Sequence, residues 1–216
     1  MKRIILLFII TSSLVLAQES NSPDDSKGFH KHDGFYLSLN GGLAFGTITL
    51  NAKNGNYNKM EVSGAGYQYE LKIGSVISEE ANLILSLDII ENIIPSPIVT
   101  FDGVSPSSGT MLYAGDAILG LGITKYFMPA NIFINVMVGE GMFSENISNK
   151  IYNSQKGFGY QLKCGKEWWV LDNWGIGVAA GVGYLSANGN ADATNPSYSS
   201  KYSTTTFFVV FNSTFN

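Results

Sequence analysis

The stretch from residue 157 to residue 186 constrains the fold more than any other part of the chain. From Phe158 to Val170, every second side chain is mostly large and apolar, and the side chains between them are small or polar. After a short turn, the same alternation resumes from Trp174 to Tyr184. A period of two indicates a β-strand, because successive side chains point to opposite faces. Each half has the roughly 9–11 residues that a tilted strand needs to cross a bilayer. The stretch therefore predicts one hairpin of a transmembrane β-barrel.

The same alternation runs through most of residues 33–216 and divides this region into about eight strands. The connections alternate between long and short: the long ones are 51–59, 92–110, 144–156 and 187–201, and the short ones are 78–80, 128–130 and 171–173. Short periplasmic turns and long outer loops are typical of outer-membrane barrels. We therefore expect an all-β fold, an eight-stranded antiparallel up-and-down transmembrane barrel with both of its ends and its tight turns in the periplasm.

The N-terminal region predicts export from the cytoplasm. Residues 1–17 combine a basic start, an apolar core and a small-residue cleavage site, which is the pattern of a cleaved signal peptide. Residues 18–32 are polar and predict a flexible periplasmic segment before the barrel. This segment contains His30 and His32, which are too few ligands for a metal site, so we predict neither a metal nor a cofactor.

Composition supports a membrane location and excludes some partners. The chain is 45% apolar and only 14% charged, whereas a water-exposed surface usually carries more charge. The formal net charge is −4 and Arg3 is the only arginine, so nucleic acid is not an expected partner. No second apolar run approaches 18 residues, so no transmembrane helix is expected in the mature chain.

On these features the chain resembles a known family. The eight-strand plan, the signal peptide, the strand motifs at 120–123 (GLGI) and 174–178 (WGIGV), and the aromatic final strand resemble the small outer-membrane β-barrel proteins of the OmpA/OmpX type. The family's last strand normally ends on the aromatic residue, whereas here Asn216 follows Phe215. The resemblance covers residues 33–216 and implies a monomer in the bacterial outer membrane, in contact with its lipid.

The small and polar register is predicted to face the lumen. An eight-stranded barrel is narrow enough for side chains to fill it. Buried charges need partners, so each of the two lysines is expected to pair with a carboxylate. The remaining carboxylates predict that Asp88 or Asp116 has a raised pKa or lies in trapped water. Glu167 is expected to meet periplasmic water. The predicted lumen network consists of Glu70, Lys72, Asp88, Asp116, Lys163 and Glu167.

Two functions of the lumen follow from this reading. The network is either a structural plug or a path for protons or small cations. An enzyme is not predicted and no catalytic residue is assigned, because both histidines precede the first strand and no Ser-His pair is available inside the barrel. Cys164 falls in the lipid-facing register, where it acts as a small apolar side chain.

The connection at 92–110 offers a further role, because it is unusually apolar for an outer loop. Such clusters often mark contact sites, so an adhesin that binds a host or cell-surface ligand is one alternative, and packing over the barrel mouth is the other. A soluble lipocalin-like barrel, with the two registers inverted, is the competing fold. The apolar residues of the connection are Ile93, Ile94, Ile98, Val99 and Phe101.

Overall fold

The computed structural model describes residues 32–54, 57–104, 111–147, 149–189 and 199–216. The predicted signal peptide and the following segment up to residue 31 lie outside the described residues, as do parts of the outer connections. Within the described ranges, no helix has the length and apolar character needed to cross a bilayer.

The described residues form ten strands. Eight of these close into an antiparallel barrel in the order β1–β2–β3–β5–β6–β8–β9–β10, and β10 pairs back onto β1. This arrangement confirms the predicted up-and-down fold. The strands are β1 (Phe35–Lys53), β2 (Lys59–Ser78), β3 (Leu83–Pro95), β4 (Ile98–Phe101), β5 (Met111–Phe127), β6 (Ile132–Ile147), β7 (Lys150–Asn153), β8 (Gly157–Leu171), β9 (Trp174–Asn188) and β10 (Ser199–Phe215).

The remaining two strands correct the prediction that 92–110 and 144–156 are loops throughout. After a left-handed residue at Ser96 (φ 47°), β4 pairs with the outer end of β2, and β7 folds back onto the outer end of β6. Beyond the membrane a strand no longer needs a continuous apolar face, so the period-two pattern fades although the backbone still pairs.

The apolar register faces outward and the polar register faces inward. Phe211 is 73% exposed, and Ile134 and Val178 are also exposed, whereas Lys163 is only 1% exposed. A soluble barrel would bury the first three and expose the last. The orientation of the two registers therefore excludes the lipocalin-like alternative.

Apolar and ionisable side chains fill the interior together. One apolar cluster, the outer cluster, lies toward the end of the barrel that carries β4 and β7, a second apolar cluster includes two tyrosines, and buried ionisable side chains lie beside members of both clusters. The outer cluster contains Ile48, Leu50, Met60, Val62, Ile90, Ile94, Ala114, Ile118, Met137, Phe143, Leu185 and Ala187. The second contains Tyr36, Ala44, Ile84, Tyr126, Phe133, Ala179, Phe208 and Val210.

Candidate functional site: the polar lumen

The structure places all six predicted network residues inside the barrel. They come from four strands, and each residue is at most 4% exposed. Their inward direction follows from the two-residue period of each strand, since every second side chain must enter the lumen. In strand order they are Glu70 and Lys72 on β2, Asp88 on β3, Asp116 on β5, and Lys163 and Glu167 on β8.

Glu70 is the centre of the network because it receives both lysines. The ammonium group of Lys163 donates to one carboxylate oxygen of Glu70, and the ammonium nitrogen of Lys72 lies 3.2 Å from the other. Lys163 also donates to the amide oxygen of Asn40 at 3.3 Å. These contacts satisfy a buried carboxylate with two cations, which offsets part of its desolvation cost.

Lys72 also holds Asp88, which has its own support. The Nζ of Lys72 lies 2.5 Å from Oδ2 of Asp88 and 2.9 Å from the amide oxygen of Asn135. The hydroxyl of Ser86 donates to the other carboxylate oxygen of Asp88 at 2.5 Å. The expected pairing of each lysine with a carboxylate is thus present in the structure.

Asp116, like Glu167, has no lysine partner among the described residues. Among the described residues its hydrogen-bond donor is Asn92, at 2.9 Å, and it makes no ion pair. Amide side chains connect it to the centre: Gln68 donates to both Asn92 and Gln161 at 3.0 Å, and Gln161 donates to Glu70 at 3.0 Å. An amide donates and accepts hydrogen bonds but carries no titratable proton. The connection therefore fixes Asp116 in place without offering a simple proton relay.

Glu167 lies in a separate polar cluster and not in periplasmic water, which corrects the expectation for this residue. It is 2% exposed. Its Oε1 accepts hydrogen bonds from Tyr126 at 3.0 Å, Asn212 at 2.6 Å and Thr214 at 2.8 Å. Its Oε2 has no hydrogen-bond partner among the described residues. Neighbouring side chains bury this carboxylate. Its position near the end of a strand does not predict that burial.

Hydroxyl and amide groups join the two clusters. The hydroxyl of Thr214, which donates to Glu167, lies 3.1 Å from the hydroxyl of Ser38 and accepts a hydrogen bond from it. Asn40 donates to Ser38 at 3.2 Å and accepts from Lys163. The polar network is therefore continuous from Glu167 to the central lysines.

His32 closes this network at the end of the barrel that carries the short turns, although the sequence predicts that it lies in the flexible segment. It is 1% exposed, its Nε2 lies 2.9 Å from Oδ1 of Asn131, and its ring stacks on Tyr126 at 3.6 Å between centroids. Trp169 packs beside it at 4.9 Å. A single polar residue ahead of the first strand has no periodic pattern, so no signal in the sequence identifies this contact.

The apolar residues of the 92–110 connection do not form one exposed cluster. Ile94 is 5% exposed and belongs to the outer apolar cluster, and Val99 and Phe101 pack against that cluster. Ile93 is half-buried on β3, and Ile98 is 65% exposed. Most of this set therefore contributes to the closure of the barrel mouth, and Ile98 is the member that faces solvent.

Above the outer rim, Glu145 is an inward-facing carboxylate on β6. It lies five residues beyond Glu140, whose carboxylate forms an exposed 2.7 Å ion pair with Lys156. Burial raises the pKa of Glu145, and a hydrogen bond with Tyr202 acts in the opposite direction. Within the described ranges, no group of three or more His, Cys, Asp or Glu side chains is arranged to hold a metal ion.

A closed wall, an apolar exterior and a buried ionic lumen define a class of fold, the small eight-stranded transmembrane β-barrel. No protein-family model matches the sequence. No curated protein matches it either.

Solved structures with the same fold support this class. Neisserial surface protein A (NspA) aligns with a TM-score of 0.54 at 11% identity, over 85% of this chain and 97% of that chain. Outer membrane protein AlkL, determined in DMPC lipid bilayers, aligns with a TM-score of 0.52 at 12% identity, over 92% of this chain and 97% of that chain. At these identities the similarity establishes the fold.

Proposed function

We propose that this protein is a monomeric, integral component of the bacterial outer membrane, exported through the periplasm by a cleaved signal peptide at residues 1–17. The exposed apolar wall supports this location. An apolar surface of this size is unfavourable in water and is the surface that a membrane-spanning barrel presents to lipid. The turns that join β2 to β3, β5 to β6 and β8 to β9 are short, and they lie at the end of the barrel where β1 begins. The opposite end carries β4 and β7. We therefore assign the short turns to the periplasm.

We further propose that the lumen is a structural plug and does not conduct. The observation that carries this proposal is that two apolar clusters and a network of paired ionisable side chains fill the interior. Asp116 lies between Ala114 and Ile118 of the outer apolar cluster, and the Glu167 cluster lies beneath His32 and Tyr126. A permeating cation would have to pass these apolar clusters and displace the lysines that hold Glu70.

Fractionation and conductance test these two parts separately. The folded protein should be recovered with the outer membrane, and its gel mobility should change on heating. In planar bilayers the barrel should show no current steps at neutral pH, and Asp116→Asn should not differ from the wild type. Regular current steps in the wild type that disappear in Asp116→Asn would establish a cation path and refute the plug.

No catalytic role is proposed. Among the described residues, the histidine available as a general base is His32, and its partners are Asn131 and Tyr126 at the periplasmic end. No serine is bonded to it in the described part of the chain. An assay of peptide and lipid hydrolysis on the folded barrel, with a heat-unfolded sample as control, should therefore give equal rates.

A surface-contact role is the second candidate, and one observation favours it. Apolar side chains are exposed on the two outer ledges formed by β4 and β7: Ile98 is 65% exposed, Val104 is 70% exposed, and Ile151 and Tyr152 are each about half exposed. We propose that these ledges contact a host or cell-surface ligand. Cells that carry Ile98→Ser with Val104→Ser should bind host cells less than the wild type, at equal amounts of folded protein, and unchanged binding would exclude the β4 ledge.

A further inference from the structure

Two grooves lie side by side in the lipid-facing wall and extend from the end that carries the short turns toward the middle of the wall. One has a volume of about 390 Å³ and the other about 500 Å³. Both are within the typical range of ligand clefts, about 300–1,000 Å³. Val178 lines both grooves, so a single residue separates them.

Small side chains produce the first groove. Cys164 on β8 pairs with Ala180 on β9, which pairs in turn with Val209 on β10. Both Cys164 and Ala180 are exposed in a wall otherwise built of larger apolar side chains. Their small size leaves a depression between Ile132 and Val209.

Small side chains also produce the second groove, on β1 and β10. Gly41 on β1 pairs with Phe211 on β10, and Ser213 pairs with Leu39 two residues further along. A glycine and a serine beside Phe211 leave the ring 73% exposed above a depression whose far side is formed by Trp168.

A cation lies where the two grooves meet. Lys166 lines the first groove, and its Nζ lies 5.6 Å from the ring centroid of Trp168, which lines the second. The ammonium group donates to the backbone oxygen of Ala130 in the neighbouring turn. An ammonium has three N–H donors, and the other two of Lys166 have no partner among the described residues.

We propose that these grooves bind one anionic two-chain phospholipid, with one acyl chain in each groove and the phosphate on Lys166. Two adjacent apolar grooves match two chains, and the ammonium group matches a phosphate by charge. Trp168 lies on β8 between Lys166 and the turn, at the end of the wall where amphipathic rings are typical of a membrane interface. The assignment to the periplasmic leaflet rests on the membrane orientation proposed above.

Lys125 provides a matched control. It is also an outward-facing lysine near the same end of the barrel, it also donates to a turn carbonyl, that of Ala81, and its Nζ lies 5.8 Å from the ring of Phe127. It lines neither groove. If lipid phosphates are attracted to any lysine near the end of the barrel, replacing Lys125 or Lys166 should weaken phospholipid binding equally. If the grooves form a specific site, only the replacement of Lys166 should weaken it.

Native mass spectrometry of the detergent-released full-length barrel tests the proposal, with dioleoylphosphatidylglycerol and the uncharged dioleoylglycerol as probes. The wild type should retain one phosphatidylglycerol in preference to diacylglycerol. Lys166→Gln should weaken this retention about fivefold, the effect of removing one lysine near an anionic lipid. Lys166→Arg should preserve it and Lys125→Gln should leave it unchanged.

Filling the grooves tests the acyl chains independently of charge. Ala180→Leu fills the first groove, and Gly41→Leu fills the second, where an added Cβ would meet nothing closer than the Tyr69 ring at 3.7 Å. Both variants should lose phosphatidylglycerol while keeping the heat-dependent gel mobility of a folded barrel. The proposed site would be refuted by any one of three results. The wild type and Lys166→Gln could retain phosphatidylglycerol equally, or Lys125→Gln could lose as much of it as Lys166→Gln. The third such result is full retention by both groove-filling variants. A wild-type chain without heat-dependent mobility would instead refute the membrane barrel itself.

Discussion

Lys163 and Glu70 connect opposite sides of the barrel wall across its lumen. Lys163 is on β8 and Glu70 is on β2, which are four strands apart in either direction around the closed sheet. Their side chains are 1% and 0% exposed. Removing one partner of a buried ion pair leaves an uncompensated charge and typically costs about 3–5 kcal/mol. We expect Glu70→Gln to lower the free energy of unfolding by that amount, because it leaves both Lys163 and Lys72 underpaired.

Urea unfolding of the barrel in detergent micelles measures this effect. The matched control is Glu140→Gln, which removes a carboxylate from an ion pair whose side chains are 59% and 65% exposed. Exposed pairs contribute about 0–1 kcal/mol, so the control should unfold close to the wild type. Similar losses in the two variants would mean that the lumen pair does not stabilise the fold.

Gly122 should be intolerant of any side chain because it faces Asp88. A Cβ added at Gly122 would collide with the carboxylate of Asp88, which is held by Lys72 and Ser86. Overpacking of this kind costs about 1–3 kcal/mol. Gly122→Ala should therefore destabilise the barrel in the same urea assay. Gly41→Ala, whose added Cβ would meet the Tyr69 ring at an ordinary 3.7 Å, should be nearly neutral, and equal effects of the two changes would contradict the steric explanation.

The lipid-facing wall makes a depth-dependent prediction. Phe211 lies midway between the aromatic residues Phe207 and Phe215 on the lipid-facing part of β10, whereas Leu171 lies beside a turn. A lysine on the lipid face costs about 2–4 kcal/mol at the bilayer midplane and about 0–1 kcal/mol near the interface. Phe211→Lys should lower stability in lipid vesicles by the larger amount and Leu171→Lys by the smaller one. Equal costs would argue that the wall does not span a bilayer.

The sequence predicts the two faces of the barrel well and the partners inside it poorly. The alternation around Phe211 and Lys163 assigns each residue to a face, because the period of two is a local property of the chain. Which lysine meets which carboxylate depends on the tilt and stagger of strands on opposite sides of the barrel. No local pattern encodes that stagger, so the sequence predicted pairing but not the Lys163–Glu70 and Lys72–Asp88 pairs.

The same reasoning explains the misplaced residues. β4 and β7 lie above the lipid, where alternation is not enforced, and they were predicted as loops. Glu167 lies close to a predicted turn, but Tyr126 and Asn212 donate to its carboxylate and His32 stacks on Tyr126 above it, and these contacts come from distant parts of the chain. Contacts of this kind depend on closure of the barrel and are invisible in a single strand.

Ionisation of the Glu145 carboxyl should lower the free energy of unfolding of the barrel as pH rises. Burial raises the pKa of this carboxyl above its ordinary value of 4.5, so the folded state binds its proton more tightly than the unfolded state does. Folding stability therefore falls as pH rises from the ordinary value of 4.5 through the raised pKa of the folded state, and it does not change further above that pKa. Glu145→Gln removes the buried charge and should stabilise the protein at about pH 8 but not at about pH 4.

Urea unfolding at the two pH values checks this sign. Tyr202 hydrogen-bonds Glu145 in the sense that lowers the pKa, so Tyr202→Phe should enlarge the loss of stability at the higher pH. A gain from Glu145→Gln that is the same at both pH values would show that the carboxylate is not the titrating group.

The pairing of β4 with β2 predicts that two isoleucines four residues apart differ in their accessibility to a reagent outside the cell. Ile98 on β4 is 65% exposed, whereas Ile94 on β3 is 5% exposed inside the outer apolar cluster. In a Cys164→Ser background, Ile98→Cys on intact cells should react with a membrane-impermeant maleimide and Ile94→Cys should not. Labelling of both after heat unfolding shows that each thiol is intact. Labelling of Ile98→Cys only after the outer membrane is opened would place β4 in the periplasm and invert the proposed orientation, because the short turns would then lie at the cell surface.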